Sequence, residues 1–118
     1  MTQRIVWLLL ALLHLPPALA LVRPALLGRL YGVVANDAAF ALLHHRAALF
    51  GVVALTAAWA AFDADVRRLA SVVLTASMTS FLAIWWANGA PASLRSIASA
   101  DLAGLPLLAF VAWRAFSA

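Results

Sequence analysis

Four long runs of apolar residues, separated by prolines, charges or an Asn-Gly pair, constrain this chain more than any other feature. An α-helix needs about 20 apolar residues to cross a lipid bilayer. The runs cover residues 5–22, 38–62, 66–87 and 93–116. Since they take up most of the 118 residues, we predict an all-α fold in which residues 1–118 form one domain, an antiparallel bundle of four transmembrane helices.

The composition excludes several other classes of protein. The chain is 67% hydrophobic and only 10% charged, whereas soluble domains have roughly 45–50% apolar and about 25% charged residues. Soluble enzymes, disordered tails and coiled coils are therefore excluded. The basic residues are eight arginines, scattered mainly at segment ends, so the net charge of +4 does not indicate nucleic-acid binding. Cysteine is absent, which excludes thiolate metal sites and Fe–S clusters.

Residues 1–20 resemble a secretory signal peptide, with a basic start, an apolar run and an Ala-Leu-Ala ending. His14 interrupts the apolar run, and we therefore keep the segment as the first span. Pro16 and Pro17 predict a kink or a loose last turn in it, and Pro106 predicts a kink in the fourth span.

The links between the spans carry further information. Only residues 63–65 separate the second and third spans, which predicts a tight antiparallel hairpin. Asp63 or Asp65 is expected to cap the third helix, and Asn36 or Asp37 the second. Residues 24–31 predict a short interfacial helix. The side chains expected to face lipid from it are Leu26, Leu27, Leu30 and Tyr31.

Tryptophans and arginines near the span ends predict how the bundle sits in the bilayer. The five tryptophans are expected to form an aromatic belt: Trp7, Trp59, Trp85, Trp86 and Trp113.

Four arginines lie on the side of the two termini, namely Arg4, Arg67, Arg68 and Arg114. Three lie on the other side, namely Arg23, Arg29 and Arg95. Because arginine is enriched on the cytoplasmic side, we expect cytoplasmic termini.

Small residues line one face of each of the first two spans, and helices in lipid associate through such faces. On the second span the stripe is Ala47, Gly51, Ala54, Ala58 and Ala61, and His44 continues it. On the first span the row is Trp7, Ala11, His14 and Ala18. We therefore expect both histidines to face helix contacts. The stripe on the second span offers more surface than one neighbour would use, which predicts a homo-oligomer or a subunit of a larger membrane complex.

Counting 1.5 Å per residue from the span ends places several polar side chains in one layer. His14 lies about 12 Å below the end of its span, His44 about 9 Å below the start of the next, and Asp101 about 12 Å into the fourth. The full layer is His14, His44, His45, Arg46, Ser77, Ser80 and Asp101. A charge buried in lipid costs about 2.5–3.5 kcal/mol. We expect Arg46 and Asp101 to lower that cost by pairing with each other or with a histidine, or Arg46 by reaching the interface.

Three interpretations of this layer stay open: a structural network, a ligand or proton site, and a metal or haem site. A haem b would use His14 with His44 or His45. A metal ion would use His14, His44 and Asp101, two imidazoles and a carboxylate. No triad spacing or nucleophile elbow is found, so no catalytic residue is predicted. The hydroxyl side chains of the third span are expected to form interhelical hydrogen bonds: Ser71, Thr75, Ser77, Thr79 and Ser80.

Four short motifs resemble a group of small proteobacterial four-helix membrane proteins, similar in helix number and length to DoxX-like bundles. The motifs are residues 14–17 (HLPP), 30–33 (LYGV), 45–51 (HRAALFG) and 77–82 (SMTSFL). The resemblance implies the bundle and a bacterial inner membrane, but no activity. Some of the group are labelled phosphopantetheine adenylyltransferase. That activity needs a soluble nucleotide-binding fold with a His-x-Gly-His motif, which this sequence lacks, and we exclude it.

The sequence therefore favours a non-enzymatic membrane protein, either an accessory subunit of a membrane complex or a small lipid- or metabolite-binding bundle that uses the polar layer. One alternative is a haem b or metal-binding redox protein that uses His14 with His44 or His45. Another is a small proton-coupled transporter. Four-helix multidrug transporters of similar length rely on a glutamate in the first helix, whereas this chain has no glutamate and carries His14 near that place.

Overall fold

The computed structural model describes residues 1–31 and 38–117, and over these ranges the chain is entirely α-helical apart from turns. The helices are α1 (Thr2–Ala18), α2 (Ala25–Tyr31), α3 (Ala38–Phe62), α4 (Arg67–Ala87) and α5 (Arg95–Ser117), with 3₁₀ turns at Leu19–Leu21 and Ala92–Leu94. Four segments are long and apolar enough to cross a membrane: Thr2–Leu21, Ala38–Phe62, Arg67–Ala87 and Ala92–Ser117. The prediction of an all-α bundle with four spans is confirmed.

The dimensions and surface of the bundle suit a bilayer. Its longest dimension is 47 Å, close to the roughly 40–45 Å thickness of a bilayer with its headgroups. Large apolar side chains such as Leu55, Ile84 and Phe116 are exposed along the outer faces. Lipid tails solvate such side chains without cost, and an α-helix pairs its interior backbone polar groups within itself, as a lipid environment requires. These features are those of a multi-pass membrane protein.

The ends of the helices follow the residues that break them. α1 continues through Pro16 and Pro17 and then tightens into the 3₁₀ turn. Proline has no N–H to continue the ladder, and the last turn of the span is a tight 3₁₀ turn, not the loose turn that was predicted. α5 also continues through Pro106. α4 stops at Ala87, and the following Gly89 has a positive φ of 82°, a conformation that glycine adopts freely.

Two hydrogen bonds to the side chain of Asp63 stabilise the hairpin between α3 and α4. One carboxylate oxygen accepts a hydrogen bond from the backbone N–H of Asp65 at 2.9 Å, and the other accepts from Nε1 of Trp59 at 3.1 Å. Val66 is the N-cap of α4 and makes no side-chain cap. The tight hairpin is confirmed, but the prediction that Asp63 or Asp65 caps the helix is wrong, because Asp63 bonds within the turn. Asn36 and Asp37 lie outside the described residues.

α1 is the central helix: it packs on α3 and α5, while α4 packs mainly on α5. Trp7 is completely buried in the core between these helices, together with Leu10, Leu74, Met78 and Val111. The belt prediction is therefore wrong for Trp7, whose indole lies in the same cluster as small residues of α3 such as Ala57 and Ala60. Trp59, Trp86 and Trp113 are exposed on the outside.

The short helix α2 lies against the end of the bundle. Leu27 and Tyr31 are buried in a second apolar cluster with Ala20, Ala47 and Ile97, and Leu26 and Leu30 pack against that cluster. A helix is present over the predicted residues. The expectation that its apolar side chains face lipid is wrong, because α2 turns this face onto the bundle.

Arginines at the hairpin end satisfy backbone carbonyls. Nε of Arg67 donates to the Ala60 carbonyl at 2.9 Å and Nε of Arg4 donates to the Ala61 carbonyl at 3.4 Å. Nε of Arg68 donates to the Ala115 carbonyl at 3.1 Å. These carbonyls belong to the last turns of α3 and α5, where no backbone N–H is available and the helix dipole favours a cation. The arginines therefore stabilise helix ends.

The hydroxyl side chains of α4 bond within their own helix. Ser71 donates to the Arg67 carbonyl at 2.7 Å, Thr79 to the Thr75 carbonyl at 2.5 Å, and Ser80 to the Ser77 carbonyl at 3.1 Å. Hydroxyls in helix interiors often bond to a carbonyl one turn back. For these side chains the prediction of interhelical hydrogen bonds is wrong.

Candidate functional site

Three contacts fix the antiparallel register of α1 and α3. Arg4 contacts Ala61, the His14 ring lies 6.3 Å from the Phe50 ring, and Nε2 of His44 donates to the Leu21 carbonyl at 2.8 Å. His44 therefore lies six residues, or about 9 Å along the helix, from the level of His14. The prediction that the two histidines share one depth is wrong, because α3 starts well beyond the level at which α1 ends.

His14 and Asp101 share one small cavity between α1, α3 and α5. The cavity has a volume of about 170 Å³, and its other walls include Leu13, Pro17 and Phe50. Both polar side chains are buried, with 1% of His14 and 4% of Asp101 exposed. The structure thus brings together two members of the predicted layer. His14 faces α3 and α5, as the small-residue face of α1 predicted.

The proton on His14 can be placed from its hydrogen bond. Nδ1 lies 2.8 Å from the Leu10 carbonyl oxygen. A carbonyl only accepts, so Nδ1 carries a proton, and Nε2 of the neutral ring is an acceptor. The carboxylate of Asp101 is also an acceptor. Within residues 1–31 and 38–117 it accepts no hydrogen bond and has no cationic nitrogen within 4 Å.

Arg46 lies on a larger cavity between α3 and α4. These helices are tied together at the hairpin and make their main contacts with other helices, and the cavity of about 410 Å³ lies between them. The half-buried guanidinium lies 5.2 Å from the centre of the Phe50 ring and 4.8 Å from that of Phe81, within the range of cation–π attraction. Ser77 and Ser80 line the same cavity.

Phe50 is the wall that the two cavities share. Arg46 acts electrostatically on Asp101 across this region, but in the described part of the chain the two do not form an ion pair within 4 Å. The expected direct pairing of Arg46 with Asp101 or a histidine is therefore wrong. The aromatic rings hold the guanidinium instead, and the two opposite charges stay separate.

Tyr31 adds a polar group to this end of the bundle. Tyr31 is the last residue of α2, and its side chain is buried in the second apolar cluster with Ala20, Ala47 and Ile97. Burial raises the pKa of the Tyr31 phenol above its usual value of 10.0, and the positive charge of Arg46 partly opposes that rise. The phenol, the guanidinium and the Asp101 carboxylate are thus electrostatically linked.

An alkaline titration tests this link, because Tyr31 is the only tyrosine in the chain. The phenolate absorbance of the folded protein is expected to rise with a midpoint above pH 10.0. Arg46→Met is expected to move the midpoint further up, since it removes the charge that favours phenolate. Arg114→Met, at the opposite end of the bundle, is expected to leave it unchanged. An unchanged or lower midpoint in Arg46→Met would show that the two groups do not interact.

His44 and His45 do not join His14. Nε2 of the half-buried His44 is used by the Leu21 carbonyl, and His45 is exposed on α3. Axial imidazoles of a haem face each other across the ring, which these positions do not allow. The described residues also contain no group of three or more His, Cys, Asp or Glu side chains that could hold a metal ion. A haem held by His14 with His44 or His45 therefore does not fit this geometry. A metal ion held by His14, His44 and Asp101 does not fit it either.

Sequence reasoning missed the aromatic side chains that shape the site. Phe50, Phe81 and Trp85 line the Arg46 cavity, and Nε1 of Trp85 donates to the Pro91 carbonyl at 3.1 Å. One signal was available: Phe50 follows Arg46 by four residues, which places both on one helix face. Phe81 is distant in sequence and carries no such signal.

No family model matches this chain, and neither a curated protein nor a solved structure matches it.

Proposed function

We propose that this protein is a non-enzymatic membrane bundle that binds an amphiphile with an anionic headgroup between α3 and α4. The observation that carries the proposal is Arg46, a cation on a membrane span that lies between two aromatic rings with no carboxylate within 4 Å in the described residues. A charge on a membrane span without a partner of opposite charge is costly and marks a functional site by default. An anionic ligand would provide that partner.

The shape and lining of the cavity favour an amphiphile over a polar solute. Its volume of about 410 Å³ lies within the usual range of roughly 300–1,000 Å³ for ligand sites. Beyond Arg46 the walls are largely apolar and suit an acyl chain: Leu49, Val53, Phe81, Ile84, Trp85 and Leu94. Arg46 lies about 12 Å along α3 from its start, in the third of the span nearest the end of the bundle opposite the α3–α4 hairpin, which a headgroup can approach from that leaflet.

We further propose that the protein lies in a bacterial inner membrane with its termini in the cytoplasm. The support for the orientation is the arginine count, which favours the end that carries Arg4, Arg67, Arg68 and Arg114. The support for a bacterial inner membrane is the resemblance of the four motifs. In this orientation the two cavities lie towards the opposite leaflet. Self-association or membership of a larger complex remains a prediction, and crosslinking in native membranes that yields only monomer would contradict it.

Lipid binding by the purified protein in an uncharged detergent tests the proposed function. Native mass spectrometry would compare retention of dioleoylphosphatidylglycerol with that of uncharged dioleoylglycerol. The anionic lipid is expected to bind at least about tenfold more tightly, as one charge-assisted contact implies. Arg46→Ala is expected to abolish this preference, and Arg46→Lys to keep part of it.

The control is Arg23→Ala, which removes an exposed arginine from the same end of the bundle. It is expected to bind both lipids as the unmodified protein does. Equal losses in Arg23→Ala and Arg46→Ala would mean that the anion is held by the general charge of this end, and the proposed site would be wrong.

A further inference from the structure

Asp101 presents a second unpaired charge beside the Arg46 cavity. Its side chain is 4% exposed, lines the cavity of about 170 Å³ and accepts no hydrogen bond among the described residues. A buried polar group without a partner is rare in proteins and calls for an explanation. His14 shares the cavity and offers a second acceptor at Nε2, since its Nδ1 proton is used by the Leu10 carbonyl.

The group that would satisfy this cavity must bring N–H donors and a positive charge. A primary ammonium has three donors and no acceptor, which complements a carboxylate and an imidazole nitrogen. A volume of about 170 Å³ is well below the roughly 300–1,000 Å³ of a site that holds a whole ligand, so the cavity suits a small group. A metal ion is less suited, because the described residues provide no cluster of three ligating side chains here.

The ammonium site and the anion site are neighbours. Phe50 lines both cavities, with its ring 5.2 Å from the Arg46 guanidinium carbon and 6.3 Å from the centre of the His14 ring. Arg46 and Asp101 thus line two cavities that share Phe50, and among the described residues they do not form an ion pair with each other. A single ligand that carries both an anion and an ammonium can pair each of them.

We propose that the amphiphile is zwitterionic, with a phosphate that binds Arg46 and a primary ammonium that binds Asp101 and His14. This inference rests on the proposed function and specifies its ligand class. An ethanolamine phospholipid has this chemistry, since a two-carbon chain joins its phosphate to its ammonium. The apolar walls between α3 and α4 receive part of its acyl chains.

A methylation series tests the inference without any change to the protein. Native mass spectrometry would compare dioleoylphosphatidylethanolamine with its N-methyl, N,N-dimethyl and N,N,N-trimethyl (phosphatidylcholine) forms. Retention is expected to fall along the series, by about tenfold or more overall, because each methyl group removes a donor. Equal retention of all four lipids, with Arg46 still required, would overturn the inference and leave the proposed function standing. Retention that does not depend on Arg46 would overturn the proposed function.

Variants locate the effect at Asp101. Asp101→Asn keeps the shape but removes the charge, and it is expected to abolish the preference for ethanolamine while Arg46-dependent binding of phosphatidylglycerol persists. Asp101→Glu is expected to retain the preference. Asp65→Asn, which changes an exposed aspartate in the hairpin at the other end, is expected to behave as the unmodified protein. An ethanolamine preference that survives in Asp101→Asn would overturn the inference.

A competition experiment distinguishes binding of a lipid from binding of its free headgroup. Soluble glycerophosphoethanolamine carries the same two charges but no acyl chains, and it is expected to compete at least about tenfold more weakly than the lipid. Equal competition would show that the site takes a soluble phosphoester, and the assignment to a lipid would be wrong.

Discussion

Trp7→Ala is expected to lower the free energy of unfolding by about 3–5 kcal/mol, the usual cost of truncating a large buried aromatic side chain. Trp7 is completely buried at the junction of α1, α3 and α5. Its removal leaves a cavity that neighbours such as Ala57 and Ala60 are too small to fill. Unfolding in mixed micelles, followed by far-UV circular dichroism because the substitution removes a fluorophore, would measure the change.

Two controls separate packing from the other properties of the indole. Nε1 of Trp7 is buried without a hydrogen-bond partner among the described residues, so Trp7→Phe gives up no hydrogen bond. It is expected to cost clearly less than Trp7→Ala, because a phenyl ring leaves a smaller cavity. Trp113→Ala removes an exposed tryptophan and is expected to stay within about 0.5 kcal/mol. Equal losses at Trp7 and Trp113 would contradict the central role of Trp7.

The fold was predictable because a membrane span is a property of a single stretch of chain. A run of about 20 apolar residues spans a bilayer whatever its neighbours are, and the second span was predicted at the bounds that α3 has, Ala38–Phe62. The short helix α2 was predictable for the same reason. Its orientation was not, because the burial of Leu27 and Tyr31 depends on how the link returns to the bundle.

The direction in which a side chain faces, and its depth in the bilayer, could be predicted only in part, because both depend on neighbouring helices. Trp7 and Trp113 both lie near a span end, yet Trp7 is buried in the core whereas Trp113 is exposed on the outside. Counting from span ends assumes that the helices start level with each other. The offset between α1 and α3 moves His44 to the level of Leu21 and leaves Phe50 opposite His14.

The candidate site was predictable as a set of polar residues but not as a geometry. His14, Arg46, Ser77, Ser80 and Asp101 do line two adjacent cavities. Their grouping into one paired network was wrong, because the partners that hold Arg46 are phenyl rings, and no rule of charge or polarity selects them. From the sequence alone, a phenylalanine of a membrane protein can face lipid or contact a guanidinium. Only the positions of α3 and α4 relative to each other show that Phe50 and Phe81 contact Arg46.

Gly104→Leu is expected to lower the free energy of unfolding by about 3 kcal/mol, at the upper end of the usual range for overpacked sites. Gly104 is buried on α5, three residues after Asp101. A Cβ atom at this position would lie 2.8 Å from Cε of Met78 and 3.1 Å from Cδ1 of Leu13. A leucine side chain extends well beyond that atom and would force α5 away from α1 and α4.

The matched variants show whether volume is the cause. Gly104→Ala is expected to change stability by less than about 1 kcal/mol, because the ends of Met78 and Leu13 can shift by tenths of an ångström and alanine favours the helix. Ala103→Leu adds the larger side chain at an exposed neighbour on the same helix and is expected to be nearly neutral. Since Leu13 also lines the His14–Asp101 cavity, Gly104→Leu is expected to weaken the ethanolamine preference as well. A stable Gly104→Leu protein with that preference intact would show that α5 can move without disturbing the cavity.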